Sequence, residues 1–334
     1  MMEVTCCPSL LLDRFTTYSP KAVKSLFDGR RADHVLDFNI EDFRNTEEIV
    51  QAMNRISVSG VQEKFPAVVD GGKIRISNDG ERSTHILKPA PWDETICDRV
   101  FIPANEHLTM QIASQVYGVV TAYNGLCFTE KGRSVYITKR FDVLPDGSKH
   151  VMEDFAAVIG KNEKDHGENF KYDACFEDIA DAIKENVPAW KVDMERFFNL
   201  VVFNYIYANG DDHLKNFSLI IKGEDYRLAP AYDLLNTALH VGPRDFGLDG
   251  GLSPNIYPSD VYDRTGHPCR LDFERFADRI GIMKSRAAKI LDMYMSMPEK
   301  AQELVERSFL PDKLKRKYLR IVNERIARFV RKSE

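Results

Sequence analysis

No stretch of the 334-residue chain holds about 18 uninterrupted apolar residues, so no membrane-spanning helix is expected. The N-terminus shows no basic segment followed by a hydrophobic one, so no secretory leader is expected either. Zinc-type cysteine spacing is also missing. Cys6, Cys7, Cys97, Cys127, Cys175 and Cys269 form no C-x-x-C pair, and the adjacent Cys6-Cys7 has no partner ligands nearby. Free thiols in a reducing compartment follow, and with them a soluble, cytoplasmic protein. Nor is there a large excess of charge. Forty-six basic against fifty-one acidic residues leave −5, so no whole-protein field would hold the chain on nucleic acid or an anionic membrane. Apolar residues are not scarce: at 43% they exclude disorder, and the length suits one large domain or two lobes.

What is present centres on Asn209-Gly210-Asp211-Asp212-His213-Leu214-Lys215-Asn216-Phe217-Ser218, directly behind the almost wholly apolar run Phe197 to Tyr207. Such a run is a buried helix. Its polar tail must emerge where polar groups are useful, because burying them without partners costs several kcal/mol. Phosphoryl transfer needs a base for the nucleophile's proton, an amide that holds a metal ion and a second carboxylate for that metal. Asp211, Asn216 five residues on, and Asp233 supply these parts in the order of the protein-kinase pattern. His213 and Lys215 stand in the same turn as further candidate catalytic groups. Phe217 to Lys222 and Tyr226 to Ala229 predict two strands around Gly223-Glu224-Asp225, a hairpin that would carry Asp233 back beside Asn216 so that both ligate one cation. The plainer alternative is a solvated loop after a core helix.

Elsewhere the chain offers supporting parts. Lys21 to Phe27 and Ile40 to Met53 predict helical pieces. The small polar stretch Ser57-Val58-Ser59-Gly60-Val61-Gln62-Glu63-Lys64 could close over phosphates through backbone N–H groups and Lys64, although most Ser-Gly turns merely turn. Phe65 to Val69 and Lys73 to Ile76 flank Asp70-Gly71-Gly72, a hairpin signal. Thr84-His85-Ile86-Leu87-Lys88-Pro89 is a short strand ending in lysine, whose ammonium needs a partner: a phosphate, and Glu106 in the helix predicted over 105–113. The other reading makes Lys88 an edge-strand lysine and Glu106 a first-turn acid. Val135 to Asp142 is β-rich and closes the first region, where backbone groups could meet an adenine edge. From Val151 to Ile159 the chain is expected to be helical. A polar loop, 160–171, follows, then helices over 176–187 and 196–207. The segment 240–260 predicts a long surface loop, which often marks function. It contains a literal Asp245-Phe246-Gly247. Asp233 is preferred as metal ligand because it follows a strand and lies closer to the expected interval. From Leu271 onward the chain is helical. Its last helix carries an apolar stripe, Leu319, Val322, Ile326 and Phe329, beside Lys313, Lys315, Arg316, Lys317, Arg320, Arg325, Arg328 and Arg331. Those cations make a solvated face or a nucleic-acid patch, and direct nucleic-acid contact stays open.

Seven motifs in succession resemble the HipA-like serine/threonine kinases, toxins of bacterial toxin-antitoxin systems. They are I-S-V-S-G-V-Q-E-K from Ile56, T-H-I-L-K-P from Thr84, N-E-H from Asn105, K-R-F-D from Lys139, E-D-F from Glu153, G-D-D-H-L-K-N-F-S from Gly210 and Y-D at Tyr232-Asp233. The paired serines and the short chain are most similar to the HipT branch. The resemblance implies an α+β, two-lobed protein-kinase-like fold with a small β-rich N-terminal lobe and a mainly helical C-terminal lobe. On that reading residues 1–50 are an N-terminal extension, 51–143 the N-lobe with its phosphate-binding loop and 144–334 the helical C-lobe. It implies ATP and Mg²⁺ as cofactors, with Asp211 as base, Asn216 and Asp233 on the metal and Lys88 on the phosphates. The backbone of Lys139 and Phe141 would hold adenine. Ser59, Gly60 and Lys64 would lie in the loop over the phosphates, where Ser57 and Ser59 would be autophosphorylated. An aminoacyl-tRNA synthetase is the implied substrate, tryptophanyl first and glutamyl next. Antitoxin proteins, including a DNA-binding repressor, are the implied partners, and no membrane is. Two departures stand out: Asp212 adds an acid to the catalytic motif, and Val58 separates the two serines.

Two rival readings come from other classes. One is a catalytically silent nucleotide-binding subunit that binds a DNA-binding antitoxin, which has no need for the base at Asp211. The other is a small-molecule kinase, since the site does not name its acceptor.

Overall fold

The computed structural model describes residues 4–40, 63–144, 146–223 and 225–331. The serine-containing stretch 56–62 and the helical piece expected over 40–53, except Ile40, lie outside those residues. The chain forms two compact units, and each draws on several segments. The first comprises Met1–Ile112, Ala122–Lys149 and Glu303–Lys315. The second comprises Ala113–Thr121, His150–Gln302 and Arg316–Glu334.

The first unit is built on an antiparallel five-stranded sheet in the order β2-β1-β3-β5-β4. The strands are β1 (Phe65–Asp70), β2 (Lys73–Ile76), β3 (His85–Lys88), β4 (Asn124–Phe128) and β5 (Ser134–Lys139). The β1–β2 hairpin closes at Asp70↔Lys73 over Gly71 and Gly72, whose φ values of +55° and +84° only glycine adopts without strain. Residues 4–40 pack against this sheet. Cys7, Tyr18, Leu26, Phe27 and Leu36 pack into one apolar core with Phe65, Leu87, Cys127 and Ile137 of the sheet. Ser19 caps the helix Pro20–Leu26 by accepting from the Ala22 N–H. The helix Ile102–Gln115 is buried even at its polar positions Asn105, Glu106, His107, Thr109 and Gln111.

The second unit is mainly helical and carries a three-stranded sheet, β6-β7-β8. Its strands are β6 (Val151–Asp154), β7 (Ser218–Lys222) and β8 (Asp225–Leu228). The expected helix over 151–159 is corrected here. Val151 to Asp154 pair antiparallel with Ile221 to Ser218, and helix starts only after Asp154, which caps the Ala157 N–H over the short turn Phe155–Val158. Pairing with a strand more than sixty residues away overrides the local preference. The central helix Trp190–Ile206 is buried on all sides from Phe197 onward apart from the half-buried Asn199, as its composition demands. Helices Arg270–Arg279, Lys284–Asp292, Glu299–Arg307 and Asp312–Phe329 follow. Among the described residues no helix is long and apolar enough to cross a membrane.

Candidate active site

In the first unit β3 ends on Lys88, whose Nζ donates to Glu106 Oε1 at 2.7 Å. The side chains are 4% and 2% exposed, and the ammonium also lies 5.3 Å from the centre of the Tyr136 ring. A buried ion pair owes its place to good geometry, since desolvation opposes it. The pair therefore holds the lysine in one fixed position. Lys64 stands half-buried just before β1. Lys139 ends β5, where its backbone N–H donates to the Tyr123 carbonyl at 2.8 Å and its ammonium pairs with Asp28. The next N–H, that of Arg140, donates to the Thr84 carbonyl at 2.9 Å. The Lys139 N–H is thus engaged within the sheet. Ser57, Ser59 and Gly60 lie outside the described residues.

In the second unit the stretch after the central helix folds into a tight, cross-braced turn. Ala208 takes a left-handed φ of +53°, Gly210 N–H donates to Thr237 Oγ1 at 2.9 Å, and Thr237 N–H returns to the Ala208 carbonyl at 3.0 Å. His213 N–H donates to the Asp211 carbonyl, and Asn216 N–H to the His213 carbonyl, each at 2.9 Å. A single 3-10 turn, Leu214–Asn216, then delivers the amide: Asn216 Nδ2 donates to the Asp211 carbonyl at 2.7 Å. With its nitrogen so engaged, the amide presents Oδ1 as the end able to ligate a cation. Asp211 is half-buried, and one of its oxygens, Oδ1, accepts from the Tyr172 hydroxyl at 2.9 Å.

Asp233 reaches this turn through its neighbour. Tyr232 Oη donates to the Lys215 carbonyl at 3.0 Å and shares a 2.5 Å contact with Ser218 Oγ. The β7–β8 hairpin, in register Leu219↔Leu228, returns the chain to that point. Asp233 itself has φ +56°, a left-handed conformation rare for a residue with a side chain and typical of functional sites. Burial pushes the His213 imidazole down to about 4, against the opposing pull of Asp211 and Asp233. The ring is therefore neutral near pH 7 and lies edge-on to Tyr172, with centroids 5.2 Å apart. Lys215 is half-buried, with its ammonium 6.0 Å from the centre of the Phe170 ring.

Among the described residues no group of three or more His, Cys, Asp or Glu side chains could hold a metal. Asn216 and Asp233 still suit Mg²⁺, which binds through one or two protein oxygens and completes its shell with phosphates and water.

The literal D-F-G is held by its own set of contacts. Asp245 accepts from His267 Nδ1 at 2.7 Å and pairs with Arg325 and Arg328. Phe246 sits among Phe176, Tyr205 and Phe273. Arg325, expected on the solvated face of the last helix, is instead buried at 2% exposure. Asp212 faces the same loop: it accepts from the Gly247 N–H at 2.6 Å, and burial raises its pKa well above the carboxylate range. The extra acid braces the loop.

Tyr172 escaped the sequence reading. The one available signal was a pair of aromatics, Phe170 and Tyr172, inside an otherwise polar loop, which marks a loop that docks.

The family model for the HipA-like C-terminal domain matches residues 56–302. The chain belongs to that family. A "Putative kinase" of Haemophilus influenzae is 23% identical over 318 residues, 88% of this chain and 87% of that protein. The "Putative kinase Y4dM" of Sinorhizobium fredii is 33% identical over 208 residues, 57% of this chain and 47% of its own length. The serine/threonine-protein kinase toxin HipA of Shewanella oneidensis is 24% identical over 234 residues, 64% of this chain and 51% of that toxin. The chain thus spans about half the length of these last two relatives. A chain from the complex of HipA, HipB and operator DNA of Shewanella oneidensis MR-1 superposes with a TM-score of 0.62 at 19% identity, covering 82% of this chain and 65% of that one. That match shows the fold: a HipA-like kinase fold of a β-rich region and a helical C-terminal region.

Proposed function

We propose that this HipA-family chain is an ATP- and Mg²⁺-dependent protein serine/threonine kinase acting as the toxin of a toxin-antitoxin system. One observation carries the reading. The Asn216 amide is fixed on the Asp211 carbonyl at 2.7 Å, so that the carboxylate read here as base and the amide read as metal ligand leave a single turn, and Tyr232, next to Asp233, is tied to the Lys215 carbonyl of that turn at 3.0 Å. A nucleotide binder without transfer chemistry has no use for the base.

In this reading Asp211 accepts the proton of the acceptor hydroxyl, and Asn216 and Asp233 hold Mg²⁺, which when bound neutralises charge on the transferred phosphoryl group. Lys88, fixed by Glu106, orients the phosphates. Lys215 and the neutral His213 shape the turn around the base. Positioning and electrostatics then supply the rate. Ser59, Gly60 and Lys64 lie in the loop over the phosphates, with Ser57 and Ser59 as autophosphorylation sites. The substrate is an aminoacyl-tRNA synthetase, tryptophanyl first and glutamyl next, and the partners include a DNA-binding antitoxin. The names of the Shewanella oneidensis relatives, a kinase toxin and a toxin-antitoxin complex with operator DNA, support the toxin role and the antitoxin partner, while the synthetase substrate rests on the sequence resemblance.

A transfer assay with radiolabelled ATP, purified protein and bacterial extract, run beside Asp211→Asn, tests the proposal. Label above the mutant level supports it. Equal label in both samples would leave the binding subunit as the better account.

A further inference from the structure

The loop between the helices Glu163–His166 and Phe176–Asn186 is stitched to the catalytic turn. Lys171 accepts from the Leu214 N–H at 3.0 Å through its carbonyl, and Tyr172 accepts from the Asp249 N–H at 2.9 Å through its own. Three ring contacts fix the Tyr172 side chain: His213 edge-on at 5.2 Å, the Lys171 ammonium 4.9 Å from the ring centre and the Arg244 guanidinium 5.7 Å from it. With the ring so clamped, its hydroxyl has one outlet, and it donates to Asp211 Oδ1 at 2.9 Å.

We infer that Tyr172 is a positioning residue for phosphoryl transfer: its hydroxyl occupies Asp211 Oδ1 and turns Oδ2 toward the acceptor. This rests on the kinase reading given above. A carboxylate on a short side chain rotates about its last bond, and the two oxygens are equivalent until something distinguishes them. The tyrosine distinguishes them. In the transfer step the acceptor oxygen forms a bond to the γ-phosphorus, and the bond from that phosphorus to the β-bridging oxygen breaks. ADP leaves with the electron pair, and the acceptor's proton goes to Asp211 Oδ2. A base misdirected by an ångström costs on the order of 10²-fold in such a step, while leaving nucleotide affinity alone. The raised pKa of the Tyr172 phenol, caused first by burial and then by the adjacent Asp211 charge, agrees with a hydroxyl that stays a donor at neutral pH.

The experiment is a four-protein set: the full chain, Tyr172→Phe, Asp211→Asn and the double variant. Each is assayed with radiolabelled ATP and Mg²⁺ in bacterial extract, with ATP varied, and melted by circular dichroism. Tyr172→Phe should lower the saturated rate about 10- to 100-fold, with the KM for ATP within about twofold of the parent. In the Asp211→Asn background the same change should do nothing further, because no base remains to orient. A saturated rate within twofold of the parent overturns the proposal, as does an equal loss in both backgrounds or a loss confined to KM. A Tyr172→Phe protein that does not fold also contradicts it, since the hydroxyl is assigned to the reaction and not to the core. If the parent labels nothing above Asp211→Asn, the kinase reading falls and takes this one with it. If the parent transfers and Tyr172→Phe matches it, only the positioning role falls.

Discussion

Gly247 approaches the backbone of Asp212 so closely that a Cβ on the glycine would stand 2.5 Å from the Asp212 nitrogen and 2.9 Å from the Asp211 carbonyl carbon. Its own N–H donates to the Asp212 carboxylate at 2.6 Å. The loop carrying Asp245-Phe246-Gly247 is thus a backing plate for the catalytic turn. Gly247→Ala should force backbone movement and cost about 1–3 kcal/mol, the range for overpacking. Urea unfolding would show the loss, and the transfer rate should fall with it, because Asp211 is one of the residues displaced.

Asp245→Asn separates a brace from a metal ligand. Removing this carboxylate leaves Arg325, 3% exposed at its side chain, without its anion, a loss of about 3 kcal/mol by analogy with other broken buried pairs. The melting temperature should drop, while Mg²⁺-dependent nucleotide affinity in the folded protein stays within about twofold. Asp233→Asn should give the reverse pattern. Calorimetric titration with a non-hydrolysable ATP analogue distinguishes them, and abolished binding for Asp245→Asn with binding spared for Asp233→Asn would exchange the two roles.

Lys88→Met should lose on both counts. It leaves the Glu106 carboxylate, 2% exposed, with its nearest cation gone, at a cost of about 3–5 kcal/mol. Adding Glu106→Leu should restore much of the stability and none of the nucleotide affinity. Denaturant midpoints and ATP-analogue binding, measured on the single and double variants, test this split.

Acid should unfold the first unit early. Burial holds His85 and His107 near 4, below their ordinary value of 6.5. Such a depressed group binds fewer protons folded than unfolded, so its stability contribution is present in full above about pH 6.5. That contribution is lost as pH falls toward 4. A fall from 6.5 to about 4 puts each histidine's contribution on the order of 3–4 kcal/mol across that window. His107→Gln should flatten the pH dependence of the urea midpoint between pH 6.5 and 4. An unchanged slope would mean that His107 charges freely in the fold.

Phosphate on the serine-containing loop is expected at Ser57 or Ser59 in the active protein and at neither in Asp211→Asn. Each phosphoserine adds about −1.5 to −2 charges, which would oppose an anionic nucleotide. Mass spectrometry of both proteins decides the first point. Weaker ATP-analogue binding by Ser57→Asp and Ser59→Asp than by the alanine variants decides the second.

Local chemistry made much of this protein legible in its sequence. Two glycines at positive φ must close the β1–β2 hairpin, an apolar run such as 197–207 must be central, and an amide five residues after an aspartate can fold back onto that aspartate's carbonyl within one turn. The Tyr232-Asp233 return follows from a hairpin of fixed length. These relations span few residues, so backbone geometry alone constrains them. Only tertiary structure could decide the others. Pairing with residues 218–221, more than sixty positions later, turned 151–154 from expected helix to β6. Arg325 lies inside because Asp245, 80 residues earlier, needs a cation there. The Asp211 carboxylate is aimed by Tyr172, 39 residues before it, from a loop whose composition gave no chemical signal beyond its two aromatics. Hydrogen-bond partners at such separations depend on where whole elements dock, and no periodicity or spacing in the chain encodes that.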